Sequence, residues 1–304
     1  MTDIIVVGGG MAGMTSALYA LRNNRSVKVF ERESFGGQIA KSPRVENYPT
    51  EKTITGAELS DKLFEQITEL GAEFELEDVT KIEKLGKIFK VITNYHTFEC
   101  KSVIIASGVK PRLLNIENEK RLLGKGVYYC AICDGPFYAG KDVTLIGDAN
   151  SALQYALMLA GFCKSVHICT LFDRFFGEQM LQDAVKRTPN ITITHNVSAT
   201  KFNGEDKLTS ITFKNTKTGE VYDEKTEAVF VAIGQVPDNK AFANLVDLDS
   251  AGYIISDENC KTKTDGLFVV GDCRTKAIRQ VTTAVSDGAV AGTSASLYLS
   301  SIGD

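Results

Sequence analysis

No apolar run in this 304-residue sequence approaches the ~18 residues needed to cross a bilayer, so a membrane protein is not expected. No stripe of lysine and arginine stands out among the interspersed acids. With a net charge of −4, a nucleic-acid partner is not expected either. Histidine is scarce: His96, His167 and His195 occur singly in strand-like stretches and read as structural or surface residues. Five of the seven cysteines, Cys100, Cys163, Cys169, Cys260 and Cys273, are scattered, so no second Cys-x-x-Cys pair completes a four-ligand zinc site. The opening MTDIIVVGGG lacks a basic segment ahead of its apolar run and is expected to form a strand rather than a signal peptide. Cysteines without a secretion signal point to a reducing, cytoplasmic compartment, where a Cys-x-x-Cys is more often catalytic than structural.

What is present suggests two domains of the α/β class. Residues 3–7 are an apolar strand that runs into Gly8-Gly9-Gly10-Met11-Ala12-Gly13. A helical stretch follows at 15–22, then a second strand at 27–30 ending at Glu31. In this grammar Gly8 makes the tight turn, Gly10 admits a pyrophosphate to the backbone, and Gly13 lets helix pack on strand. The helix N-terminus faces the phosphates, and Glu31 can bond a ribose without a 2′-phosphate, as in FAD or NAD. The same pattern returns about 138 residues later. A strand at 142–146 meets Gly147-Asp148-Ala149-Asn150-Ser151-Ala152, a helical stretch at 153–160 and a strand at 165–169. Such a duplication predicts two related dinucleotide-binding-type (Rossmann-like) domains.

Smaller signals surround these units. Ala106-Ser107-Gly108 ends a buried-type strand with small residues, which let a backbone approach a ligand. Gly271-Asp272 ends another, where the acid suits a cofactor hydroxyl; a simple turn cap is the alternative. Arg279-Gln280-Val281 precedes a helix rich in small residues. Phe172, Phe175 and Phe176 are expected to pack in a core or interface, at spacings that share a helical face. Cys130 and Cys133, followed by Asp134, can close a small disulfide ring with an acid at hand to pass a proton. Two buried thiols, or half of a zinc site, are the other readings of that motif alone.

Taken together, GGGMAG at Gly8, GGQI at Gly36, VENYP at Val45, ASG at Ala106, CAICD at Cys130, GQVP at Gly234, GD at Gly271 and RQV at Arg279 closely resemble the low-molecular-weight thioredoxin reductase family of FAD flavoproteins. The resemblance spans essentially the whole chain. It implies two three-layer ββα domains, the second inserted into the first: an FAD domain of residues 1–115 and 245–304, and a dithiol-bearing domain of 116–244. It also implies a homodimer. Cys133 would be the thiol nearest the flavin, Cys130 would exchange with thioredoxin, and Asp134 would be the proton donor or acceptor. The FAD contacts would be Gly8, Gly10, Met11, Ala12, Gly13, Glu31, Gly37, Gln38, Asn47, Ala106, Gly108, Gly271, Asp272, Arg279, Gln280 and Val281.

The chain departs from that family at the second glycine turn, where the family binds NADPH. Ala149 stands for the middle glycine, and Asp148 adds a negative charge. The family's His-Arg-Arg and following Arg, which grip the 2′-phosphate, are replaced by Thr170, Leu171, Phe172 and Phe176. No acid ends the strand, as an NAD site would want. The chain is in this respect similar to the subset of the family that takes electrons from reduced ferredoxin, which makes reduced ferredoxin the expected donor. The alternatives are an NADPH-dependent enzyme with a degenerate site and a non-enzymatic redox sensor.

Overall fold

The computed structural model describes the chain except Pro43, Arg44, Glu46, Cys130 and Asp304, and the side chains of Lys41 and Cys133. It divides into two units, Met1–Lys110 with Val236–Asp304, and Pro111–Gln235. The crossings fall five and nine residues before the expected boundaries, and packing explains why. Leu114 and Ile116 lie against the second unit's core, and the Glu119 carboxylate accepts the amides of Leu114 and Asn115 at 2.7 and 2.6 Å. On the return, Phe242 is buried in the first unit. Asn239 donates to the carbonyls of Gly252 and Cys273 there, both at 2.9 Å.

In the first unit the strands Glu73–Glu75, Val27–Phe30, Thr2–Val7, Thr97–Ile105 and Leu267–Val269 lie side by side in parallel. The start of Thr97–Ile105 also pairs antiparallel with Ile88–Thr93, which pairs with Val79–Leu85. The apolar run of the first strand serves two faces. Ile4 and Val6 pack under the helices, whereas Ile5 and Val7 pack on the other side with Phe89 and Val91. On the helical face, Met11–Arg22 and Val281–Ser301 approach closely. A Cβ on Gly288 or Gly292 would run into the carbonyl oxygen of Ala12 or Ser16, which is why the last helix is rich in small residues. Helix Gly56–Glu69 starts on a capping box between Thr55 and Glu58, worth about 1 kcal/mol.

The second unit repeats the plan. Strands Ile191–Thr194, Ser165–Cys169, Asp142–Ile146, Ala228–Val231 and Val127–Tyr128 form a parallel sheet. Helix Asn150–Ala160 packs on one face, and the antiparallel strands Val197–Asn203, Ser210–Asn215 and Val221–Lys225 form a separate sheet against the other. Among the described residues no helix is long and apolar enough to cross a membrane.

Candidate active site

Strand Thr2–Val7 delivers its chain into a turn that only glycine can make. Gly8 has φ +115°, and a Cβ there would strike the Ala106 carbonyl. A Cβ on Gly13 would strike the Gly8 carbonyl oxygen. At Gly10 the nearest atom to an added Cβ is the Gly37 Cα at 3.9 Å, so the backbone there is open to a ligand. Gly10 caps helix Met11–Arg22 and has no side chain to bond its first turn, so among the described residues those amides are left for an anion. The Glu31 carboxylate accepts the amides of Gly9, Arg32 and Glu33 at 2.9, 2.9 and 3.0 Å. It is thereby fixed at the end of its strand beside the glycine turn, with acceptor capacity to spare for a ribose hydroxyl.

Around this turn the structure gathers the other expected cofactor residues of the first unit. Gly36 donates its amide to the Gly9 carbonyl at 2.8 Å, which brings Gly37 onto Gly10. Gln38 donates to the Val109 carbonyl at 2.9 Å, next to Gly108, which adopts φ +65°. Asn47 donates to Gln280 at 3.0 Å, at the start of the helix that begins with Val281. Gly271 carries φ +75° and faces Ala12. Among the described residues Asp272 Oδ1 is buried without a hydrogen-bond partner, and burial pushes its carboxyl upward against the pull of Lys276 and Arg279. A buried acceptor left unpaired costs free energy, and a hydroxyl of a bound cofactor would satisfy it. The open Gly10, the uncapped helix turn and this orphaned acid all fit the FAD that the resemblance implies.

Four residues that sequence reasoning missed, Asp287, Arg274, Lys276 and Tyr253, support this cradle. Asp287, buried in the last helix, accepts the Gly271 amide at 2.9 Å and pairs with Arg274 and Lys276 at 2.9 and 2.8 Å. Tyr253 lies 4.1 Å under the Arg279 guanidinium, which also donates to the carbonyls of Asp272 and Arg274 at 3.3 Å each. A lone acid in an otherwise uncharged helix was the available signal for Asp287. Nothing local marked Tyr253.

The dithiol segment belongs to the second unit. Cys130 lies outside the described residues, as does the Cys133 side chain. Helix Ala131–Asp134 leads directly into Gly135–Tyr138, and Ala131 is fully buried. Burial raises the Asp134 carboxyl above the ordinary range, which helps it keep a proton to deliver. The other five cysteines are buried, and none is paired with another among the described residues. Burial pushes the thiols of Cys100 and Cys260 up to about 12 and that of Cys163 to about 11, and raises Cys169 and Cys273 as well. None is a reactive thiolate near neutrality. Mass spectrometry after native alkylation is therefore expected to find two labels per reduced chain, at Cys130 and Cys133, and none after oxidation. Labelling elsewhere would contradict this.

The second glycine turn keeps its frame. Gly147 has φ +156°, and a Cβ there would strike the Ala232 carbonyl, as Gly8 does with Ala106. Ala149 caps helix Asn150–Ala160 in extended conformation without a side-chain cap. Burial raises the Asp148 carboxyl. The loop after strand Ser165–Cys169 is stitched to this turn: the Phe176 amide donates to the Asp148 carbonyl at 2.7 Å, and the Glu178 amide to the Asn150 side chain at 2.7 Å. That loop is not helical, so the expected shared helical face of the phenylalanines does not form. Phe175 enters the core, while Leu171, Phe172 and Phe176 stand half-exposed, with Phe172 and Phe176 edge to face at 5.2 Å. Thr170 is buried and bonded to the Phe172 carbonyl and His195, both at 2.7 Å. One cation escaped the sequence reading: the Arg174 guanidinium lies 5.2 Å over the Phe176 ring. It is held on an aromatic face beside the turn rather than projected as a fork.

The two glycine turns define a pair of dinucleotide-binding-type frames, and the comparisons agree with that fold. Residues 2–288 match the family model described as "Pyridine nucleotide-disulphide oxidoreductase". The chain is 36% identical over 299 residues to a thioredoxin reductase of Bacillus subtilis, covering 98% of this chain and 94% of that protein. The structure of Lactococcus lactis thioredoxin reductase (FR conformation) matches with TM-score 0.95 and 37% identity, covering 99% and 100% of the two chains. The chain belongs to the pyridine nucleotide-disulphide oxidoreductases and, within them, to the low-molecular-weight thioredoxin reductase family. A ferredoxin-flavin thioredoxin reductase from Clostridium acetobutylicum is a more distant structural neighbour, with TM-score 0.55 and 27% identity over 99% and 98% of the chains. The expected special kinship with ferredoxin-linked members is thus corrected to membership of the wider family. The lost arginines are a local feature and do not set the likeness of the whole chain.

Proposed function

We propose that this protein is an FAD-dependent disulfide oxidoreductase that reduces thioredoxin through Cys130 and Cys133. The observation that carries the reading is the first unit's cradle, where an open Gly10, an uncapped helix turn, Glu31 and the orphaned Asp272 converge. Bound FAD supplies the two-electron carrier between the donor and the protein disulfide. In the chain's own chemistry, the Cys130 thiolate attacks one sulfur of the thioredoxin disulfide. Cys133 then displaces thioredoxin from the mixed disulfide, leaving Cys130–Cys133 oxidised and thioredoxin with two thiols. Asp134, its carboxyl raised by burial, handles the proton of this exchange. A homodimeric assembly goes with this reading.

Two donors have support. A nicotinamide nucleotide bound weakly in the second unit is favoured by the 36% identity to a thioredoxin reductase, the retained turn at Gly147 and the nearby Arg174. Reduced ferredoxin is favoured by the half-exposed Leu171, Phe172 and Phe176, where a phosphate grip would need cations. An anaerobic titration followed by flavin absorbance separates them. A weak nucleotide site predicts bleaching only at about millimolar NADPH and none by ferredoxin; a ferredoxin-linked enzyme predicts the reverse. Bleaching by neither, with no thioredoxin turnover, would overturn the enzymatic reading.

The flavin assignment has its own test. Wild-type protein is expected to be yellow, with one noncovalent FAD per chain released on denaturation. Gly13→Val pushes a side chain into the Gly8 carbonyl, an overpacking cost of about 1–3 kcal/mol, and should lose the flavin. Equal flavin content in both proteins would contradict the assignment.

A further inference from the structure

Glu119, in the second unit, is only 3% exposed, and among the described residues no cation pairs with it. Burying a carboxylate in this way is costly unless donors surround it. Three do: the amides of Leu114 and Asn115, at 2.7 and 2.6 Å, and the Tyr129 hydroxyl. The backbone is bent around the carboxylate. Asn115 and Asn118 take left-handed φ of +58° and +66°, a conformation that asparagine bears more cheaply than most side chains. The Asn118 side chain donates to the Phe202 carbonyl at 2.9 Å, which ties the bend to strand Val197–Asn203. Burial, and then the carboxylate beside it, push the Tyr129 hydroxyl upward, so it stays protonated and remains a donor.

What this carboxylate grips is the chain that enters the dithiol. Tyr129 follows strand Val127–Tyr128 and is joined by its own peptide bond to Cys130. Side chains alternate across a strand, so the two tyrosines face opposite ways. The Tyr129 ring packs beside Leu114 and Ile116 on the core under the antiparallel sheet. Tyr128 packs on the helical face, stacked on Phe230 with ring centres 5.7 Å apart. Its hydroxyl lies 3.0 Å from that of Tyr138, at the end of the Gly135–Tyr138 turn that follows Asp134. The residues on either side of the Cys130–Asp134 segment are thus fixed, Tyr129 on Glu119 and Tyr138 on Tyr128.

We infer that Glu119, acting through Tyr129, is a positioning residue for the dithiol: it limits the freedom of the Cys130 backbone and so favours closure of Cys130 on Cys133. The inference rests on the dithiol role proposed above and deepens it. Ring closure depends on the effective concentration of one thiol at the other, and that falls when either end of the segment is loosened. In the closing step the two thiols give two electrons and two protons to an oxidant. With a small cyclic disulfide as oxidant, that disulfide becomes the dithiol, and the exchange passes through a mixed disulfide.

The test equilibrates full-length flavoprotein anaerobically in buffers of graded potential made from the dithiol and disulfide forms of lipoate and dithiothreitol. The oxidised fraction of Cys130–Cys133 is read by acid quench, alkylation and mass spectrometry, with thermal melting measured alongside. Tyr129→Phe keeps the ring in its place and removes only the hydroxyl that Glu119 holds, so it should fold. Its equilibrium constant for ring closure is expected to fall about tenfold, a shift of about 30 mV towards easier reduction. Tyr222→Phe removes a phenol hydroxyl beside the same core, on strand Val221–Lys225, and should leave that constant unchanged. A lowered melting point in Tyr129→Phe with the equilibrium unmoved would make Glu119 a structural carboxylate only and overturn the inference. An equal shift in Tyr222→Phe would overturn it as well. A wild-type protein that forms no Cys130–Cys133 disulfide in any of these buffers would instead overturn the proposed function on which the inference rests.

Discussion

Cys133→Ser is expected to abolish thioredoxin turnover, by at least about a thousandfold, while leaving the flavin in place. Removing one member of a unit that acts together typically costs three or more orders of magnitude, and a serine cannot close a disulfide. Flavin retention follows from the architecture: the cofactor cradle and the dithiol belong to different units of the chain. Cys130→Ser should be equally inactive, but through a different lesion. It keeps a thiol at 133 and loses the sulfur assigned to exchange with thioredoxin. Stopped-flow reduction of each variant, followed by a thioredoxin assay, distinguishes the two. The buried cysteines offer no rescue, since burial holds their thiols protonated. Turnover near wild type in either variant would contradict the assignment.

A second large effect is a gain. Ala149→Gly combined with Leu171→Arg, Phe172→Arg and Phe176→Arg is expected to tighten NADPH binding by at least about a hundredfold. Each charge-assisted phosphate contact contributes about 1.5–3 kcal/mol, and two independent ones already amount to that factor. The structure makes the design credible. The Phe176 amide is anchored to the Asp148 carbonyl, so an arginine at 176 starts beside the turn. Leu171 and Phe172 are half-exposed, so arginines there create no cavity. The existing Arg174, stacked on Phe176, would also be freed from its aromatic partner. Titration of the variant and the parent with NADPH, read by flavin bleaching or calorimetry, measures the gain. An unchanged affinity would show that the turn itself, and not its missing cations, limits binding.

Much of this was legible in the sequence because it is local. A strand that ends in a glycine turn is written in a few consecutive residues, since left-handed backbone and close approach tolerate no side chain at Gly8 or Gly147. Helix Met11–Arg22 began four residues earlier than expected and Asn150–Ala160 three earlier, because the turn residues themselves enter the first helical turn. The phenylalanine spacing suits a helix, yet the loop is not helical, because the amides of Phe176 and Glu178 are spent on Asp148 and Asn150 instead.

The sequence by itself determined the duplicated strand–turn–helix plan, the acid at Glu31 and the absence of a phosphate-gripping cluster at positions 170–172 and 176. These depend on backbone sterics and on charge, which neighbours along the chain set. Tertiary structure alone decided which distant groups meet. Asp287 reaches Gly271 from a helix sixteen residues on, Tyr253 slides under Arg279, and Glu224 crosses from one sheet to His167 on another. Such pairings arise when separate sheets and helices bury their apolar faces together, and the polar groups trapped between them must find partners wherever the packing puts them.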